Sequence, residues 1–154
     1  MDLQNAKIVR RAAGRLMLAA LAVLWMASCG EPDRPSAVAD RALAHMLHLS
    51  EAIGQRVTGT PNEAKALDYV RQTFLAMGYE PAVQPFGFAE EGGGVVFSGN
   101  VIAVLPGDSP LEIIVGAHYD SVDVGRGFAD NASGVGLLLA LAGRLRNSRP
   151  PCTV

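Results

Sequence analysis

Apolar positions along this chain recur with two periods, and the changes of period mark its elements. From Ala37 to Ile53, Ala39, Leu43, Met46, Leu47 and Ile53 fall on one helical stripe that Gly54 is placed to end. Thr60-Pro61-Asn62-Glu63 is a helix start: Thr60 can cap, Pro61 occupies the first helical position, and Glu63 can reach back to the cap. Leu67, Val70, Phe74, Leu75 and Met77 form the following stripe, ended by Gly78. Glu80–Phe88 predicts a strand, and Pro81 and Pro85 put it at a sheet edge. Residues 90–94 (EEGGG) predict a turn, Val95–Leu105 a second strand, and Pro106-Gly107-Asp108 another turn. The short, β-branched run from Leu111 predicts a buried strand reaching His118. Asn131–Leu145 predicts a helix. Val135, Leu138, Leu139, Ala142 and Leu145 share one side of it, and Leu137 and Leu141 extend the stripe toward burial all round. The tail beyond is basic and stopped by Pro150 and Pro151, with Cys152 an incidental thiol. Helix, helix, three strands and a helix make an α/β layout, with no internal repeat.

Residues 1–28 break this pattern and read as an export signal. Lys7, Arg10, Arg11 and Arg15 precede an apolar run from Leu16 to Ala27 that is too short for a confident membrane span. Met26-Ala27-Ser28-Cys29 then resembles a bacterial lipobox, with Cys29 as the lipidated residue. An ordinary signal peptide and an uncleaved anchor are the other readings, and all three give an exported chain. Gly30 follows Cys29, which by analogy with Gram-negative sorting points to the outer membrane, facing the periplasm. Residues 29–36 then form a tether and 37–154 the folded part. Losing residues 1–28 removes four basic side chains and leaves a mildly acidic chain. Such a chain has no basic patch for nucleic acid and no charge-driven attraction to anionic lipid, so its membrane contact is the lipid alone. Two cysteines make no disulfide framework.

The chemistry gathers at the end of the third strand. His118 and Asp120 are two apart and lean to the same side of a strand. A Gly-containing loop leads to Asp130-Asn131-Ala132-Ser133-Gly134 and the last helix. A strand, a polar loop and a helix form the layout in which open α/β folds place sites at strand carboxyl ends. An imidazole and a carboxylate brought together there are zinc ligands by type. Read separately, GAHYDSV is a strand end with a core histidine, and DNASG is a helix cap. His45 and His48, three apart on the first helix, lack a carboxylate motif and read as exposed or half-buried helix histidines. Asp123 reads as a solvated loop acid.

Taken together, GAHYDSV and DNASGV, with Asp130 twelve positions after His118, resemble the M28 family of zinc metallopeptidases, aminopeptidases built around a two-metal centre. The RVTGTP element, its amphipathic helix and GYE resemble the N-terminal part of the same family. The resemblance implies a three-layer helix/mixed sheet/helix zinc-exopeptidase fold, present here as its N-terminal half. It implies two zinc ions, with His118 a ligand to one and Asp130 bridging both. Asp120 then supports the His118 imidazole from behind, and the Asp130–Asn131 peptide bond is expected to be cis. The family's glutamate base, neighbouring glutamate, further aspartate and second histidine have no counterpart after Asp130. The expectation is therefore an exported aminopeptidase, acting on N-terminal peptide bonds of a peptide substrate, whose chain as given is inactive alone. The alternatives are a non-catalytic binding module on the same fold and a glutaminyl cyclase-like acyl transferase.

Overall fold

The computed structural model describes residues 35–89 and 92–154. The expected signal, Cys29 as the expected lipidation site and most of the expected tether lie outside the described residues, as do Glu90 and Glu91 of the first turn. Helix α1 (Pro35–Leu47) runs into a wide π-helical turn, His48–Ile53, that stops at Gly54 with φ 87°. Helix α2 (Pro61–Ala76) starts where Thr60 accepts the Glu63 N–H and ends before Gly78, at φ 89°. Strands β1 (Ala82–Ala89) and β2 (Val95–Ile102) form an antiparallel hairpin, with Ala82 opposite Ile102 and Ala89 opposite Val95. Strand β3 (Ser109–Glu112) is followed by an extended segment, a loop, the irregular turn Phe128–Ala132 and helix α3 (Ser133–Leu145). Strand β4 (Cys152–Thr153) closes the chain.

The tail expected to be merely Pro-stopped has a structural job. After α3 it returns to lie parallel to β3, and a parallel partner requires a crossover such as this helix. Leu105 and Val154 exchange both backbone hydrogen bonds, at 2.7 and 3.0 Å, and the Ser109 N–H donates to the Pro151 carbonyl at 3.0 Å. Pro150 and Pro151 have no N–H to contribute, but their carbonyls serve as acceptors. Arg149 Nε meets Asp108 Oδ1 at the same corner.

One core unites these elements. Leu49 after α1, Ala66, Val70 and Phe74 of α2, and Ala132, Val135 and Leu139 at α3 are buried together. Val101, Ala103, Ala117 and Tyr119 pack against them from the strand side. Leu75, expected in the α2 stripe, is instead exposed, and Ala66 takes the inward place. The expectation that α3 is buried all round also fails: Leu137 is 60% exposed. Among the described residues no neighbour covers the side of α3 that carries Leu137 and Leu141, while α1 crosses another side closely. Gly136 makes that crossing possible, since a Cβ there would stand 2.4 Å from the Ala42 carbonyl oxygen.

The fold is a mixed α/β one, with two departures from the expected continuous sheet. The described strands form two separate two-stranded sheets. The expected buried strand up to His118 is laddered only as far as Glu112, apart from one bond from the Ile113 N–H to the Thr153 carbonyl. Beyond it the run stays extended but uncovered, and Ile114 is 91% exposed. A continuous apolar run fits a strand covered on both faces. Among the described residues these side chains are only partly covered, with Ile113 54% and Val115 47% exposed.

The α3 crossing can be tested directly. Gly136→Ala forces α1 and α3 apart and should lower stability by about 1–3 kcal/mol, the usual cost of overpacking. Gly143→Ala meets only the Met77 side chain, no nearer than 3.5 Å, and should be neutral or stabilising by up to about 1 kcal/mol. Urea unfolding of both variants makes the comparison.

Candidate metal centre

His118, Asp120 and Asp130 come together at the open end of the extended segment. The imidazole stands between two carboxylates. Its Nδ1 is 3.1 Å from Asp120 Oδ1, and its Nε2 is 3.0 Å from Asp130 Oδ1. Asp120 is held in turn by Thr58, whose hydroxyl donates to Oδ2 at 3.0 Å. The imidazole orientation is thus set from behind, and Nε2 and Asp130 face outward; the Asp130 side chain is 78% exposed.

Local chain geometry explains how Asp130 reaches this place. Gly127 has φ 57°, and a Cβ there would lie 2.5 Å from the Ser121 Cβ and 2.8 Å from the Arg56 guanidinium. Asp130 and Asn131 are not helical, and the peptide bond between them is cis, as the resemblance implies. The next residue supplies the cap: Asn131 Oδ1 accepts the Gly134 N–H at 3.0 Å. A Cβ on Gly134 would collide with that amide at 2.2 Å. The cap of DNASG and the carboxylate that faces His118 therefore fall on adjacent residues. Asn131 serves the helix and leaves Asp130 to face His118.

Two buried networks brace the site, and sequence reasoning assigned neither. Arg56, at the head of the RVTGTP element, is fully buried and donates to backbone carbonyls on both sides of the site loop. Burial pulls its guanidinium below the ordinary value, while Asp120 pulls the other way. Glu63, 4% exposed, was expected to close the capping box on Thr60. Its carboxylate instead accepts the Gly59 N–H, at 2.6 Å, and the Ser98 hydroxyl. Tyr119, between His118 and Asp120 in the chain, points away from them and donates to the Gly99 carbonyl at 2.6 Å. Burial pushes its phenol above the ordinary value, and the Glu63 and Asp120 charges add to this. Loop arginines and helix-start glutamates are ordinarily solvated, so no local signal marks either residue.

The other candidates separate cleanly from the site. His45 is half-buried, with Nδ1 2.7 Å from the Tyr69 hydroxyl, and His48 stacks on the Tyr69 ring at 4.0 Å. Burial, then His48 and Arg41, lower the His45 value. Asp123 is exposed, and its backbone carbonyl accepts from the Gln55 side chain. An open cleft of ≈ 890 Å³ borders His118 and Asp120. Its walls include the exposed Ile113, Ile114 and Val115. A ligand pocket encloses most of its ligand's surface; this cleft, walled by exposed apolar side chains, is an open face beside the strands.

The donor set suits zinc in part. Two ligands on one tetrahedral zinc, with bonds of about 2.0 Å, stand about 3.3 Å apart, close to the spacing of Nε2 and Oδ1. A carboxylate behind the other imidazole nitrogen is the usual support of a zinc-bound histidine. Among the described residues no three His, Cys, Asp or Glu side chains gather as a complete metal shell.

A mixed α/β layout, with this histidine–aspartate pair beyond the end of β3, is part of a zinc-exopeptidase-type fold. Residues 100–154 match the model of Peptidase family M28, and the chain belongs to that family. It is 32% identical over 131 residues to the alkaline phosphatase isozyme conversion protein of Escherichia coli K12, a match covering 71% of this chain and 38% of that protein. The chain thus spans well under half the length of that relative. Glutaminyl cyclase from Fimbriiglobus ruber has a similar structure, with 26% identity and a TM-score of 0.67 over 80% of this chain and 44% of that one. A Bacillus subtilis zinc aminopeptidase superposes with a TM-score of 0.67 over 75% of this chain and 59% of its own, at 15% identity, a likeness of fold alone.

Tyr119 supplies a test of the bracing. With its value raised in the folded state, its contribution is fully present below pH 10.0 and is lost as pH rises through the folded value. Tyr119→Phe should cost about 0.5–1.5 kcal/mol at neutral pH. It should also show a smaller further loss above pH 10.0 than the parent; Tyr69 and Tyr79, likewise raised by burial, retain part of that loss. Urea unfolding at neutral and alkaline pH measures both.

Proposed function

We propose that this chain supplies one histidine ligand and the bridging aspartate of a two-zinc hydrolytic centre in an exported aminopeptidase. The observation that carries the reading is the 3.0 Å approach of His118 Nε2 to Asp130 Oδ1, with Nδ1 backed by Asp120. Membership in a peptidase family supports hydrolysis, and the imidazole and carboxylate donors brought to zinc-ligand spacing support the metal. In this reading His118 is a nitrogen ligand to one ion. Asp130, whose carboxylate is exposed, would be the ligand that the two ions share. Asp120 accepts the Nδ1 proton, which fixes the tautomer and raises the basicity of Nε2. Thr58 keeps Asp120 turned for that task. Zinc, when bound, supplies polarisation of the scissile carbonyl and activation of the attacking water. The substrate is an unblocked peptide amino terminus. The residues in hand leave each ion short of ligands, so the chain alone is inactive. Export rests on residues 1–28, and membrane attachment on a lipid at Cys29.

Acyl transfer of the glutaminyl cyclase kind is the second reading, favoured by the likeness to the Fimbriiglobus ruber enzyme. Metal stoichiometry separates them: two ions sharing Asp130 speak for the peptidase, one ion for the cyclase.

Zinc titration followed by the ring resonances of His118 tests the centre without any turnover. The parent chain should shift His118 on adding zinc, and His118→Ala or Asp130→Asn should abolish specific uptake. Asp120→Asn should weaken it by roughly 10–100-fold. Unchanged His118 resonances in zinc, or an Asp130→Asn chain that binds like the parent, rules the centre out.

A further inference from the structure

Arg56 is a buried cation with no carboxylate against its guanidinium in the described hydrogen bonds. Five backbone carbonyls surround it instead. Nε donates to Tyr119 at 2.8 Å, and Nη2 to Gly127 at 3.0 Å. Nη1 reaches Leu49 at 2.8 Å, Gly54 at 2.6 Å and Arg126 at 2.9 Å. Its own backbone is paired both ways with Ser121: the Arg56 N–H donates to Ser121 Oγ at 2.9 Å, and the Ser121 N–H donates to the Arg56 carbonyl at 3.0 Å.

The positions of those acceptors matter more than their number. Tyr119 lies between His118 and Asp120. Arg126 and Gly127 lie just ahead of Asp130, and the Gly127 carbonyl also accepts the Ala132 N–H at 3.1 Å. One side chain therefore ties both ends of the loop that separates the imidazole from the carboxylate. It anchors them to the end of the first helical stretch, at Leu49 and Gly54. Neither Arg56 nor any carbonyl it holds belongs to a group facing the metal. A guanidinium suits this task because it is flat, forked and permanently charged; a lysine offers a single point with three donors.

We propose that Arg56 is a positioning residue for the centre: it holds His118 in register with Asp130 by closing the loop between them. The proposal rests on the zinc reading above for its functional consequence, and on the metal-free geometry for its structural one. The test uses the whole chain in two states. With zinc, Arg56→Lys, which keeps the charge and loses the fork, and Arg56→Met, which loses both, should lower affinity at His118 by roughly 10–100-fold. Val70→Ala, a core truncation in α2 that destabilises without touching the loop, should leave affinity unchanged. Without zinc, the imidazole ¹⁵N pattern of His118 should be that of one tautomer in the parent and in Val70→Ala, and averaged in the Arg56 variants. If Arg56→Met does not fold, Arg56→Lys and Ser121→Ala carry the comparison, with the same direction expected of each.

Folded Arg56 variants that match the parent in zinc affinity and in imidazole signature overturn the proposal. So does an equal loss in Val70→Ala at matched melting temperature, which would reduce Arg56 to general stability. A parent chain that takes up no zinc removes the metal reading instead, and the ¹⁵N comparison then decides whether Arg56 positions His118.

Discussion

A guanidinium does not give up its proton inside a protein, so once buried it must be met by acceptors. That constraint shapes the end of the molecule where the chemistry lies. Arg56 gathers carbonyls from the turn just before it and from both ends of a loop more than sixty residues further on, all of them places where the chain is irregular. The π-helical turn before Gly54, the bend at Gly127 and the unladdered stretch at Tyr119 all place carbonyls around this one side chain. The loop between His118 and Asp130 has few apolar contacts of its own; Val122 and Val124 are exposed. Hydrogen bonds to one cation take the place of a core there.

On that platform the division of labour among adjacent residues is tight. Asp120 and Thr58 orient the imidazole, Asn131 caps the helix, and Asp130 is left with a free face toward His118. Tyr119 points the other way and ties the same short segment to β2 through Gly99. Alternation along an extended backbone makes this possible: His118 and Asp120 share a side, and the residue between them anchors the opposite one.

The apolar run ahead of the site follows a different logic. Ile113 to Val115 has the composition of a strand covered on both faces, and here it lies open. The β3–β4 pair leaves it at Glu112, and the β1–β2 hairpin does not ladder onto it. Exposure of contiguous large apolar side chains is uncommon on a finished surface. It accords with a chain that spans 38% of its Escherichia coli relative.

Helices, caps and the closeness of His118 to Asp130 were legible in the residues because each rests on contacts within a few positions, or on a motif whose spacing is itself the signal. Thr60 and Pro61 set the α2 start, Gly54 and Gly78 set stops, and His118, Asp120 and Asp130 declare their chemistry by type. What needed the tertiary structure were contacts between segments distant in the chain. Nothing near Arg56 or Glu63 says that either is buried, because the carbonyls, N–H and hydroxyl that receive them come partly from residues tens of positions away. The strand role of Cys152–Thr153 is hidden for the same reason: pairing belongs to two segments at once. The exposure of Leu75, Leu137 and Ile114 was likewise illegible, since periodicity shows which side chains seek a neighbour but only packing decides which of them find one.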